Sequence, residues 1–434
     1  MILIYCTKTS PRIEYVFDHI LKLTLHQKFY ITNSKPEFID YRGYKFSYAS
    51  APVSNELFFQ SYGLLEETGL NNLIIKTFEW ENIKCFFKVG KKSAIPFDIF
   101  SAIFFLLSRY EEYMPHSSDN LSHFSYQESF AYKENFLETP IIDIWIEKLV
   151  SILKNTINLK CKIDSNNEKA SIIISSQHTY KYTNKYPFES YMIWFKNLIN
   201  LNLWEVIEHF FVFLKIIPDP WEIDNHIKNL LISLKIKVLF FFPFSSNSFF
   251  NNETPKTNEY FKTYIKDFFD IFKIGLLPSN NAIKKLETFE LENSNISNLV
   301  HTKINGILLK DGLNKISEDY KNLISMDEAK DFSMGYIDAF GYRASTCMSF
   351  FFYDLSSETK TSLNVTPFCA HQRLIESTNL NKVIDKIQNF NEISKKYSGC
   401  FSIILNNEIF EKSVKNSKRR SHFLSVIETL SNLI

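Results

Sequence analysis

Short, uninterrupted apolar runs alternate along the chain with longer stretches of helical periodicity, and the alternation changes character near residue 160. Before that point, apolar runs at 1–5, 29–32 and 84–87 predict strands, and the block 97–113 predicts a helix. These elements read as an α+β domain. Beyond it the order becomes regular: a strand at 170–175, a helix-rich stretch over 188–217, a strand at 235–244, a helix at 259–272 and a strand at 274–277. A strand-like run at 348–353, an amphipathic helix over 381–397, a strand at 400–405 and a closing helix complete the series. Strands that are apolar throughout and separated by helices predict a parallel sheet covered on both faces, doubly wound or barrel-like, with a barrel favoured. The Phe240-Phe241-Phe242 and Phe350-Phe351-Phe352 runs mark strands buried on both faces. Turn-forming residues at 164–169 separate the two parts, so the expected domains are 1–163 and 164–434.

Composition supports a folded chain without saying what it does. With 434 residues, 45% of them hydrophobic and 16% aromatic, there is material for two or three domains that bury their own cores. Lys and Arg total 49 against 48 Asp and Glu, so no global field recruits nucleic acid or an anionic membrane. The one basic cluster, Lys415, Lys418, Arg419 and Arg420, reads as the solvated start of the terminal helix. Cys6, Cys85, Cys161, Cys347, Cys369 and Cys400 are scattered, with no Cys-x-x-Cys pair, and reduced buried thiols are expected. Residues 1–12 show neither a basic leader region nor a long apolar one, so a cytoplasmic location is expected. Apolar stretches such as 210–217 and 238–244 fall short of the roughly 20 residues of a membrane span. Trp145, Trp204 and Trp221 are candidates for stacking on sugar rings, but their Leu and Ile neighbours at helical spacing predict core packing.

Generic catalytic motifs are absent: no Gly-x-Gly-x-x-Gly, no Gly-Lys-Ser/Thr loop, no His-Glu-x-x-His and no Gly-x-Ser-x-Gly. In a parallel α/β fold the carboxyl ends of strands carry the site. The places to inspect are therefore Ser175-Ser176-Gln177-His178, Pro278-Ser279-Asn280 and Asn406-Asn407-Glu408.

Several segments carry a resemblance. The run from Asp331-Phe-Ser-Met-Gly-Tyr336 through Gly341-Tyr-Arg-Ala-Ser-Thr-Cys347 to Phe350-Phe-Phe-Tyr-Asp-Leu355 resembles one in Bacteroidetes-type polysaccharide deacetylases of the NodB-homology family. Asn55-Glu-Leu-Phe-Phe-Gln60, Pro96-Phe-Asp-Ile-Phe100, Ser108-Arg-Tyr-Glu-Glu-Tyr113 and Phe136-Leu-Glu-Thr-Pro140 are similar to the domain preceding the barrel in that group. The resemblance implies a NodB-like distorted (β/α) barrel preceded by an α+β N-terminal domain. It also implies a metal-dependent hydrolase of amide C–N bonds that de-N-acetylates a sugar. There a divalent metal such as zinc is held by an Asp and two His, a second Asp acts as base and a His as acid.

Carried over residue by residue, these roles fall on substituted positions. The Asp-x-Asp falls on Ser175-Ser176-Gln177, and the metal-binding His before Pro-Ser falls on Leu277. The Arg-x-His segment falls either near Leu299-Val300-His301 or on Leu308-Leu309-Lys310, and the acid becomes Asn406. Each such loss costs about 10²- to 10⁴-fold in rate. The expectation is thus a deacetylase-like protein without catalysis and without a cofactor, binding a glycan or scaffolding a polysaccharide-assembly protein. Its candidate binding residues are His178, His301, Asn407 and Glu408, with no nucleic acid partner. The alternative is a carbohydrate de-N-acetylase or related hydrolase in which His178, His301 and Glu408 converge on a rearranged metal site. Enzyme status stays open at this stage.

Overall fold

The structure, a computed structural model, describes residues 1–115, 124–161, 170–183, 187–234, 236–245, 258–310, 312–412 and 416–432. The expected divider at 164–169, Lys235 and Lys415 lie outside the described residues.

The N-terminal part carries β1 (Ile2–Cys6), α1 (Pro11–Phe17), β2 (Phe29–Thr32), α2 (Lys35–Asp40), β3 (Tyr44–Ala49), β4 (Leu57–Gln60), β5 (Phe78–Trp80), β6 (Ile83–Cys85), α3 (Ile99–Leu107), α4 (Phe130–Lys133) and α5 (Ile141–Ile157). Its main sheet runs β2-β1-β3-β4 with every pairing parallel, and β5 and β6 form a separate antiparallel pair. The expected α+β layout is corrected here: the main sheet is wholly parallel, with α1 and α2 in its first two connections, while β3 reaches β4 without a helix. All five residues of β1 are buried, so an apolar run without alternation is what a strand covered on both faces should show. On one face lies α3, whose nine residues are all buried, and the Phe100 ring meets those of Phe17, Tyr48 and Phe59. Asp98 starts this helix by accepting from Ser101 N at 3.0 Å, and also takes the Tyr48 hydroxyl at 2.8 Å and Tyr62 N at 2.7 Å.

The second part carries β7 (Ala170–Ser175), α6 (Pro187–Ile199), α7 (Leu203–Phe213), α8 (Asn225–Ser233), β8 (Lys237–Pro243), α9 (Glu259–Phe269), β9 (Lys273–Leu277), α10 (Asn280–Lys284), α11 (Leu286–Leu299), β10 (Gly306–Ile307), α12 (Ile316–Ile324) and β11 (Lys330–Asp331). It continues with β12 (Phe350–Asp354), β13 (Thr359–Val365), β14 (Ala370–His371), α13 (Gln372–Ser377), α14 (Leu380–Tyr397), β15 (Phe401–Asn406) and α15 (Ser417–Asn432). Nine strands form one sheet in the order β12-β13-β11-β10-β9-β8-β7-β15-β14, parallel except where β12 folds back on β13. The 348–353 run is therefore an antiparallel edge, and its Phe351 is only half-buried, whereas Phe240, Phe241 and Phe242 are fully buried as expected.

The sheet is curled, and one face packs into an apolar cluster of Ile173, Leu239, Phe241, Leu277, Leu308, Phe332, Phe368 and Ile404. No ladder joins β12 or β13 to β14 among the described residues, so the expected barrel is not closed by strand pairing. Instead the chain itself crosses the gap: β13, the partner of β11, leads through residues 366–369 into β14, the partner of β15. Thr366 N donates to Asp331 O (2.8 Å), Phe368 N to Met334 O (3.0 Å) and Cys369 N to Ser402 O (3.0 Å), which fixes this seam to both edges.

The two parts are welded by buried polar groups in the 341–347 run. Glu112 Oε1 accepts from Arg109 Nε at 2.8 Å and from Arg343 Nε at 2.9 Å, and its Oε2 accepts from Arg343 Nη2 at 2.7 Å. Asp143 accepts from the Thr346 hydroxyl and Cys347 N, both at 2.8 Å. Gly341 sits at φ +129, and a Cβ there would lie 2.4 Å from the Leu137 carbonyl oxygen, so only glycine lets these backbones approach. All six cysteines are buried and none forms a disulfide. Trp145 is buried with its indole N–H on Lys84 O (3.2 Å), but Trp204 is 82% exposed, which corrects its expected place in the core.

Burial alone would raise the Glu112 pKa, yet Arg343 and Arg109 hold it at about 2, against an ordinary 4.5. A carboxylate whose folded pKa is depressed contributes stability above its unfolded pKa and loses it as pH falls towards the folded one. Glu112→Ala is accordingly expected to cost about 3–5 kcal/mol in urea denaturation at pH 7, because two buried guanidinium groups lose their partner. The difference between wild type and variant should shrink as pH falls from 4.5 towards 2.

Candidate functional site

Parallel strands give this sheet two chemically distinct rims. At the carboxyl rim, Ser175 ends β7 in register with Asn406 of β15 on one side and Phe241 of β8 on the other. Ser175 is buried, and with Asn406, His371, Ser333, Leu308 and Phe368 it lines a cavity of only about 10 Å³. That is about the space of a single water, and a separate recess of about 280 Å³ opens beside it at Gly312 and Ile337. Leu277 is 3% exposed and belongs to the apolar cluster beneath. A hydroxyl at Ser175, an amide at Gln177 and a buried isobutyl group at Leu277 do not make the donor set of a divalent-metal site. Among the described residues, no group of three or more His, Cys, Asp or Glu is placed to hold a metal ion.

The binding candidates from sequence are dispersed. Asn407 is buried, and its side-chain amide donates to the backbone carbonyls of His178 (2.9 Å) and Trp221 (3.3 Å). Through its Nδ2 it ties the loop after β7 to the strand end. The His178 ring lies 6.0 Å from that of Trp221, and Gln177 and Glu408 are half-buried beside the same rim. Asn406 N donates to Gln372 Oε1 at 2.6 Å. His301 is elsewhere: it is exposed at φ +53 just after α11, in the segment leading into the amino end of β10. It therefore belongs to the opposite rim from His178 and Glu408, and the three do not converge. Asp331 is also internal, accepting from the Tyr320 hydroxyl (2.6 Å) and Ser333 N (3.0 Å), and burial pushes its pKa up to about 6.

One titratable side chain at the carboxyl rim was missed. His371 ends β14, and its Nδ1 accepts from Arg373 N at 3.2 Å, capping α13. Burial first, then the charge of Arg373, lowers its pKa from 6.5 to about 4.

The amino rim is open. There a cavity of about 890 Å³, within the range of ligand sites, is lined by Lys237, Lys273, Lys303 and Lys330, with Asn305, Asn364 and Glu328 among its other polar groups. Lys237, Lys273 and Lys330 begin β8, β9 and β11, and Lys303 lies three residues ahead of β10; the four strands are consecutive in the sheet. Phe269 and Phe351 add aromatic lining. The sequence held a signal for this rim: Lys237-Val238, Lys273-Ile274 and Lys303-Ile304 each place a lysine just before an apolar residue of an incoming strand.

Comparison with known proteins gives partial matches. Residues 2–158 match DUF7033, a family of unknown function. No curated protein matches. Among solved structures, a Mycobacterium smegmatis protein assigned to the polysaccharide deacetylases is similar at a TM-score of 0.31 and 8% identity, over 60% of this chain and 85% of that one.

His371 adds a pH dependence to this rim opposite in sign to that of Asp331. A histidine whose folded pKa lies below its unfolded value contributes stability that is complete above 6.5 and lost as pH falls towards 4. Its ring protons should titrate by NMR with a midpoint near 4, and His371→Asn, which keeps the cap, should gain stability relative to wild type as pH falls through that window.

Proposed function

We propose that this chain is a non-catalytic polysaccharide deacetylase-like protein that binds an acidic glycan at the amino rim of its sheet. The contrast between the rims carries the reading: cavities of about 10 and 280 Å³ where α/β enzymes do their chemistry, about 890 Å³ under four lysines at the other end. The cationic ends of Lys303 and Lys330 favour carboxylate- or sulfate-bearing sugars, amide and hydroxyl groups suit ring hydroxyls, and Phe269 and Phe351 offer apolar surface to a sugar face. Ser175, Gln177, Leu277 and Asn406 stand where the resembled family keeps its catalytic groups, which supports the absence of deacetylation. We also propose the division into domains at 1–163 and 164–434, supported by a family match that stops at residue 158.

Two measurements test this reading. Calorimetric titration with uronic acid oligosaccharides should give binding that weakens with salt, and Lys303→Glu/Lys330→Glu should reduce affinity at least about tenfold. Neutral N-acetylglucosamine oligomers should bind more weakly and release no acetate. Acetate release with tightly bound zinc would overturn the non-catalytic part, and acidic-glycan affinity unchanged in the double variant would overturn the site.

A further inference from the structure

The helices α6 and α7 pack against each other as a hairpin, and their outer surface is apolar. Between Tyr191 and Ile217, fifteen large hydrophobic side chains are exposed, including Leu201 (79%), Trp204 (82%) and Phe213 (76%). Monomeric proteins rarely expose contiguous apolar patches beyond a few hundred Å². At roughly half exposure and ~150–250 Å² per large side chain, this surface offers on the order of 1,500 Å². That exceeds the ~800 Å² per partner of a standard stable interface.

The patch does not arise from a misplaced polar face. Helix α7 is inverted relative to an ordinary surface helix, with its polar residues turned towards the protein. Glu208 accepts from Lys181 Nζ and from the Tyr182 hydroxyl, both at 2.9 Å. His209 is buried and stacks on Tyr182, with ring centroids 4.5 Å apart and planes at 17°. These contacts set the rotation of the helix and point Leu203, Ile207, Phe210 and Leu214 outward. Their spacing of four, three and four residues is that of a helix seam that packs knobs into holes. Tyr191, Phe195 and Leu198 repeat the four-three spacing on α6.

We propose that the α6–α7 hairpin is a self-association surface on which a second copy of this chain docks its own hairpin, giving a four-helix interface about a two-fold axis. Three observations choose this occupant. Interfaces between identical subunits are the most apolar class, whereas a transient partner's footprint is only about as apolar as ordinary surface. A four-three seam is self-complementary across a two-fold axis. A lipid surface would instead call for a basic flank, and residues 187–217 hold Glu189, Glu205 and Glu208 against only Lys196 and Lys215. This inference stands apart from the glycan reading, because the hairpin contributes no residue to the amino-rim cavity.

Light scattering coupled to size-exclusion chromatography of the full chain should return twice 51.1 kDa at micromolar concentration. Ile207→Glu/Phe210→Glu should weaken self-association at least about 100-fold, as loss of interface anchors does, while leaving the circular dichroism of the folded chain unchanged. Tyr30→Glu, which alters an exposed apolar residue elsewhere, should remain dimeric. Phe210→Cys adds an exposed thiol to a chain whose six native cysteines are buried, and mild oxidation should link two copies through it. A wild type that stays monomeric at 100 µM, a dimer indifferent to the double variant, or a monomer that co-floats with zwitterionic lipid vesicles would each overturn the proposal.

Discussion

A carboxylate held between two guanidinium groups organises this molecule. Glu112, on the turn after α3, bridges Arg109 of the same turn and Arg343 of a distant loop, with all three side chains buried. Such a triad adds little net stability over a well-packed apolar replacement, but it permits few arrangements, since any displaced partner leaves a charge in the dry interior. It therefore specifies position. Arg343 Nη1 also donates to Leu313 O at 3.2 Å, so the loop that pairs with the α3 turn is tied as well to the segment that walls the carboxyl rim at Gly312. The closeness of Gly341 to Leu137 and the grip of Asp143 on Thr346 and Cys347 repeat the arrangement a few residues away.

The two rims show how one scaffold separates packing from recognition. At the carboxyl rim, Leu277 and Ile404 belong to an apolar cluster packed beneath the strand ends. At the amino rim, Lys237, Lys273 and Lys330 begin β8, β9 and β11. Long side chains at strand starts keep their charged ends in water while their stems lie on the sheet, so a recess can stay open there without exposing the apolar interior.

Much of the fold was legible because burial on both faces removes polar alternation from a strand. The runs that became β7, β8, β9 and β15 could be read for that reason. By contrast, β10, β11 and β14 are two residues long and exist through pairing with neighbours, so no local pattern announces them. The site was less legible. His178 and His301 looked equivalent as residues, and only the direction of the strands separates them onto opposite rims. Trp204 misled for a different reason: helical periodicity says that a helix has an apolar face, not which way that face turns. The direction was fixed by Lys181 and Tyr182, more than twenty residues upstream.

The pairing of β7 with β15 has a consequence during synthesis. Ser171 and Ser402, whose hydroxyls meet at 2.8 Å across these strands, are 231 residues apart in sequence. At ~5–20 residues per second, one edge of a strand destined for full burial waits on the order of 10–50 s for its neighbour to leave the ribosome. An unpaired apolar edge is a template for wrong pairing. This chain should therefore depend on chaperone cover while it is being made, however stable the finished molecule is.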